Sequence, residues 1–407
     1  MSLEGRRWKD HRMVVNPAFR YALPIQLFGQ RTSRLFTFLE NTYQHDDLNA
    51  PFTFDVADML FRWSLDVLGL ALLDFDFETL SKKDDNLWAT VYKKVDRDIK
   101  SPMFALFPSL DQRYRWLFPK RQAAHDNLET FHRMMSDIIN ERRIQLKQQQ
   151  QRQQQQQQQQ QQTDTHSRKD LLTLMIESES YGNGRALSDE ELLNNLCIFF
   201  AAGHETTASA LSFALYYLAK HPDIQMKARQ EAIDILCEGE EPKMDILPTP
   251  LQTKEMRYIL QVIKETLRCN GTVASLLQPR VVAKDDTVLM GCHLPKGTPV
   301  TVNIYDLHHN PTVWKSPQVF DPSRFGPDGE AELHPHGSIA WMPFGFGTRK
   351  CIGYKFNIGE QIVFLSMMLR KYEWSLPVDS IHHEHVITNN IEVMNPINMK
   401  ITFTRRY

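Results

Sequence analysis

Residues Phe344 to Gly353, FGFGTRKCIG, set one cysteine, Cys351, among three glycines with Arg349 two positions before it. Glycine-rich loops often cradle phosphate. Here Lys350 stands where a dinucleotide fingerprint needs its third glycine, and no GxxxxGK[ST] occurs in the chain, so the spacing excludes that reading. The following run, YKFNIGEQIVFLSMMLRKY, has helical periodicity and places the sulfur near a helix N-terminus beside Arg349 and Lys350. Those conditions favour a thiolate.

A thiolate that glycines leave open points to a large flat partner lying close to the backbone, and heme iron with a cysteine axial ligand meets that description. The competing reading of any lone cysteine is an inert core residue. Cys197, Cys237, Cys269, Cys292 and Cys351 are widely spaced, contain no CxxC and leave one over if paired, which argues against a disulfide framework or a zinc finger.

The composition is that of an ordinary globular protein, and a formal net charge of -2 gives no global reason to expect nucleic acid. The charged opening, MSLEGRRWKDHR, lacks the apolar run of a signal or a membrane anchor. Gln148 to Gln162 is glutamine throughout except Arg152 and cannot bury apolar surface against its ordering entropy. On composition it is a disordered loop or a linker. Its flanks are helical by period: Leu128, Phe131, Met135, Ile138 and Ile139 before it, and DLLTLMIES after it.

Ser188 and Glu191 form a capping box ahead of a mostly apolar stretch from Leu192 to Ala219 that stops before Pro222. His204 and Glu205 in its middle favour a central buried helix over a membrane span. HPDIQMKARQEAIDIL and MRYILQVIKETLRC are helical by period, and TVLMGCHLPKGTPVTVNI holds short strands with turns at Met290-Gly291 and Lys296-Gly297. The expectation is a mainly α fold with a small β-sheet portion.

Phe344, Gly347, Arg349, Cys351 and Gly353 reproduce F-x-x-G-x-R-x-C-x-G without a mismatch, and on this motif the chain resembles the cytochrome P-450 family. The resemblance implies that Cys351 is the proximal ligand of heme b (the metal ligand) and that Arg349 pairs with a heme propionate. It also implies that Glu265 and Arg268 of KETLR and Arg324 of FDPSRF make a structural network behind the cysteine loop. Alone, that ExxR is a surface ion pair. Trp8 and Arg12 match the family's W-x-x-x-R helix and, with Arg280, face propionates by the same resemblance. In AAGHETT, Ala202, Gly203, Glu205 and Thr206 match the oxygen-binding pattern, with Glu205 and Thr206 as catalytic proton managers; without the heme signature they are a helix-packing groove.

The resemblance runs from about Ser2 to the end and makes residues 1–407 a single P-450 domain, with the glutamine tract at 148–162 a disordered loop insertion. Ser323 stands in place of the usual glutamate of PERF, and Cys269-Asn270-Gly271 follows ETLR where a proline turn is usual. Family members carry an anchor, helices and strands upstream of the W-x-x-x-R helix, so a chain lacking its N-terminal part, by gene-model error or as a fragment, is expected. The function implied is a heme-thiolate monooxygenase that uses dioxygen, a lipophilic small-molecule substrate and electrons from an NADPH-dependent diflavin reductase at the endoplasmic reticulum. Arg349, Lys350 and Lys355 are candidates for meeting that reductase, or a solvated basic patch. The alternatives are an isomerase or dehydratase of the same fold acting without dioxygen, and a non-catalytic heme-binding or inert fragment.

Overall fold

A computed structural model describes residues 3–20, 22–43, 50–81, 86–99, 101–157, 170–178, 187–276, 278–333, 337–389 and 393–407. They are mostly helical, with four small antiparallel sheets. The chain clusters into two compact units, one of Leu3–Ala22 with Arg62–His204, the other of Leu23–Phe61 with Glu205–Tyr407.

The first unit contains the helices Gly5–Arg20, Leu87–Ile99, Pro119–Gln157 and Leu171–Glu177. Phe131, Met135, Ile138 and Ile139 are buried along one stripe, as their spacing predicts. Phe77, Trp88, Tyr92, Phe131 and Phe200 form an edge-to-face aromatic core, with the ring of His204 4.9 Å from Tyr92. Burial pushes the His204 imidazole down to about 4, so it is a neutral packing residue rather than a charge in the middle of its helix.

In the second unit the helices Ile25–Tyr43, Pro222–Cys237, Arg257–Cys269 and Tyr354–Lys371 pack with a three-stranded sheet. Lys400–Arg405 is its central strand, pairing antiparallel with Phe52–Asp55 and Tyr372–Ser375, with Phe403 opposite both Phe52 and Trp374. The alternation puts Phe52, Phe54, Tyr372, Trp374, Ile401 and Phe403 on the buried side. Thr287–Leu289 and Cys292–Leu294 form the expected hairpin, turning at Met290 and Gly291, whose φ values of 51° and 80° suit a tight two-residue loop.

The Asp189–Lys220 helix starts as the capping box predicts: Ser188 Oγ accepts the Glu191 N–H at 3.2 Å and Glu191 Oε2 accepts the Ser188 N–H at 3.1 Å. Among the described residues, no helix is long and apolar enough to cross a membrane.

The glutamine tract differs from its expected disorder at 148–162. The helix that begins at Pro119 continues to Gln157, taking in Gln148 to Gln157, and residues 158–162 lie outside the described residues. Glutamine has good intrinsic helix propensity, and extending an existing helix avoids the unfavourable nucleation step. Low hydrophobicity keeps the segment out of a core, and Gln148 to Arg152 are exposed, but it does not prevent helix propagation.

Candidate functional site

The cysteine loop lies in the second unit. Gly345 and Gly347 have φ of 69° and 76°, a left-handed region that glycine enters without a Cβ penalty. These two reversals fold the loop back so that Phe344 O accepts the Cys351 N–H at 2.9 Å. Gly345 N–H donates to Met342 O at 3.0 Å, and Lys350 N–H to Gly347 O at 3.1 Å, closing the turns on either side. Phe344 stacks edge-on against Tyr354 at 5.0 Å, at the start of the Tyr354–Lys371 helix. Gly347 is exposed, and a Cβ there would meet nothing within 4 Å, so this side of the loop is open.

Cys351 is exposed, as is Cys292 on its hairpin. Burial pushes the Cys197 thiol up to about 12 and raises that of Cys269, which makes both poor ligands. Cys237 receives a hydrogen bond from Arg370 Nε at 3.1 Å. An accessible soft sulfur on a glycine-opened loop, with Arg349 two residues away, fits a heme iron and its propionates.

The Arg257–Cys269 helix brings Glu265 and Arg268 together as a fully buried pair: Arg268 Nε donates to Glu265 Oε2 at 2.7 Å and Nη2 to Oε1 at 2.8 Å. Arg324 Nε stands 3.3 Å from Glu265 Oε1, and the Asp321 N–H donates to the same oxygen at 2.9 Å. Arg324 also pairs with Glu330. Burial pushes the Glu265 carboxyl up, and the hydrogen bonds and charge of Arg268 oppose that shift, as does the Asp321 N–H. The three predicted network residues therefore converge, and Ser323 breaks nothing: the Asp321 carboxylate caps it through N–H and Oγ bonds of 3.0 and 2.6 Å. Trp341 Nε1 donates to Lys264 O at 3.1 Å, tying the same helix to the residues just before the loop.

Glu205 and Thr206 are half-buried on the Asp189–Lys220 helix. Asn395, in the short Asn395–Pro396 strand, donates Nδ2–H to Glu205 Oε1 at 3.0 Å, and Ser209 Oγ–H donates to Asn395 Oδ1. Sequence reasoning missed Asn395. It also missed a hydrogen-bonded chain in which Gln361 donates to the half-buried Asn357 at 2.7 Å, Asn357 to Thr207 at 2.8 Å and Thr207 to the buried Glu360 Oε1 at 2.6 Å.

Burial raises the Glu360 carboxyl well above its ordinary value of 4.5. The unfolded chain ionises this group near 4.5 while the folded protein keeps it protonated above that, so the folded state binds more protons in that window. The stability of the neutral acid is therefore complete below 4.5 and is lost as pH rises toward the folded value. Glu360→Gln, which never ionises, should gain on the parent as pH rises, by at most about 1.4 kcal/mol per pH unit. Thermal midpoints that stay parallel across the window would contradict this.

Ala202 and Gly203 belong to the first unit. A Cβ on Gly203 would stand 2.0 Å from Leu68 Cδ1, so the room beside this glycine is filled by a packed leucine. Trp8 and Arg12 are half-buried on the Gly5–Arg20 helix, which is tied to Glu191 by Arg7 at 2.8 Å, and its His11 lies within 3.4 Å of Asn195 Oδ1. The Arg7 guanidinium, with the Ser188 N–H, pulls the Glu191 carboxyl down to about 2. Arg280 is exposed in the Arg280–Val281 strand, with Nη1 donating to Gln278 O at 3.3 Å. A cavity of about 950 Å³ in the first unit, lined by Arg97, Phe104, Phe118 and Arg121, contains none of the predicted site residues.

The cytochrome P-450 family model matches residues 1–403. Cytochrome P-450 4F8 of Homo sapiens is 28% identical over 380 residues, covering 90% of this chain and 67% of that protein. Cytochrome P-450 3A2 of Rattus norvegicus is 30% identical over 385 residues, covering 91% of this chain and 68% of that protein. Among solved structures, a cytochrome P-450 of the 102L1 type superposes with a TM-score of 0.80 at 20% identity, over 99% of this chain and 83% of the other. The cytochrome P-450DA heme domain gives 0.75 at 24% identity, over 100% and 78%. The structural likenesses establish the fold, and the match along nearly the whole chain establishes the lineage. With an accessible cysteine at the signature position of that match, the chain belongs to the cytochrome P-450 family and is a heme-thiolate monooxygenase.

Proposed function

We propose that this enzyme inserts one atom of dioxygen into a lipophilic organic substrate, reducing the other to water with electrons from an NADPH-dependent diflavin reductase. Residues 1–407 act as one such domain, at the endoplasmic reticulum membrane by family resemblance. The observation that carries the reading is Cys351, exposed on a loop that two left-handed glycines fold open, within an unbroken signature.

Heme bound there supplies the oxygen activation. Cys351 holds the iron as thiolate, and Arg349, with Trp8, Arg12 and Arg280, neutralises propionates. Phe344, Gly347 and Gly353 shape the loop, while Ala202 and Gly203 keep their helix narrow. Glu265, Arg268 and Arg324 fix the loop from behind. Glu205, oriented by Asn395, is an acid for proton delivery, and Thr206 holds the delivered proton's path. Arg349, Lys350 and the exposed Lys355 offer positive charge to the reductase.

The test uses the heme-loaded chain with its reductase. Thr206→Ala should keep its heme yet release several-fold more hydrogen peroxide per NADPH consumed, because proton delivery is no longer directed. Equal coupling in variant and parent would remove Thr206 from the proposal. Product formed without dioxygen or NADPH would replace monooxygenation by isomerisation or dehydration.

A further inference from the structure

We infer that His308 is a positioning residue for the heme-ligating loop, joining the buried Glu265 and Arg268 pair to the backbone that carries Cys351. The inference rests on Cys351 being the iron ligand. His308 ends the core of a short helix, Ile304–His309, and is 1% exposed. Its two ends do different work. The carbonyl accepts Arg268 Nη1–H at 2.8 Å, and the imidazole Nε2 accepts the Met342 N–H at 3.0 Å.

From Met342 the contact continues into the loop. Met342 O accepts the Gly345 N–H, at the first left-handed glycine, and Phe344 O accepts the Cys351 N–H. One imidazole therefore sets the height of the backbone segment from which the turn around the sulfur is built. Met342 is itself buried, so without His308 its N–H faces no water, and an unmade bond there has its full cost.

Acceptance at Nε2 requires a neutral ring with its proton on Nδ1. Burial, followed by the positive charge of Arg268, pushes the His308 imidazole down to about 3, so the accepting form persists at neutral pH. Arg268 thus anchors the histidine's backbone, and its charge adds to the larger effect of burial in disfavouring the imidazolium. Trp341, bonded to Lys264 O, holds the preceding residue to the same helix, which leaves the Met342 N–H as the point where the loop departs from that support.

The test is made on heme-loaded protein, reduced and saturated with carbon monoxide. The readout is the ratio of the strongly red-shifted Soret band of thiolate ligation to the ordinary band of heme that has lost it. His308→Leu removes the acceptor at similar volume and should lower that ratio roughly five- to tenfold at equal heme per chain. His308→Gln, whose Oε1 reaches the place of Nε2, should restore most of it. If the leucine variant does not accumulate folded, His308→Asn, polar but too short to reach Met342, must show the loss. A ratio unchanged in His308→Leu or His308→Asn would overturn the inference, as would an equal loss in His308→Gln, which would mark His308 as packing only. A parent lacking the red-shifted band would refute the Cys351 assignment instead, a separate failure.

Discussion

Glu265→Ala is expected to destabilise the unit of Leu23–Phe61 with Glu205–Tyr407 by about 3–5 kcal/mol, because it leaves the Arg268 guanidinium without a carboxylate in the protein interior and removes one of the two carboxylates, Glu265 and Glu330, that hold Arg324. Arg268 is 0% exposed and Arg324 6%, so neither can recover its hydration by a small movement. The remaining partners of Arg268 are the backbone carbonyls of His308, Pro317 and Val319 and the Cys269 sulfur, which satisfy hydrogen bonds but not charge. Heme content should fall along with stability, since Trp341 and His308 both suspend the cysteine loop from this region. Urea unfolding and heme per chain check it. A loss under about 1 kcal/mol would mean the pair behaves as an exposed ion pair.

Cys351→Ala should abolish monooxygenase turnover, since no other described sulfur shares its setting. Cys197→Ala should leave turnover near the parent's, because that thiol is held protonated by burial. Cys292→Ala should do the same, as its exposed sulfur sits on a surface hairpin. Product formation per heme in the three variants separates the cases, and residual turnover in Cys351→Ala would reassign the ligand.

Features carried by neighbouring residues were legible in the sequence. The cysteine motif is contiguous, the Ser188 and Glu191 box spans one turn, and Met290-Gly291 is a two-residue turn; each is decided by backbone geometry within a few positions. The ExxR pair sits on one helical face, though only family resemblance linked it to Arg324 before the structure did.

What escaped were contacts between distant segments. Nothing local in LHHNP says that His308 meets Met342, and Asn395 lies 190 residues from Glu205. Thr207 and Glu360 are 153 apart, and a glutamate in a periodic apolar run looks like a solvent-facing position until the fold buries it. Gly203 shows the same limit: a small residue marks close approach, but the approaching group, Leu68, is named only by packing. The glutamine tract shows a different one, because composition decides against a core and leaves helix open.

The most direct test of the account is the spectrum of the reduced, carbon-monoxide-saturated holoprotein beside Cys351→Ala. A strongly red-shifted Soret band in the parent that disappears in Cys351→Ala is the predicted result. The same band in both proteins, or its absence from a fully heme-loaded parent, would contradict thiolate ligation by Cys351.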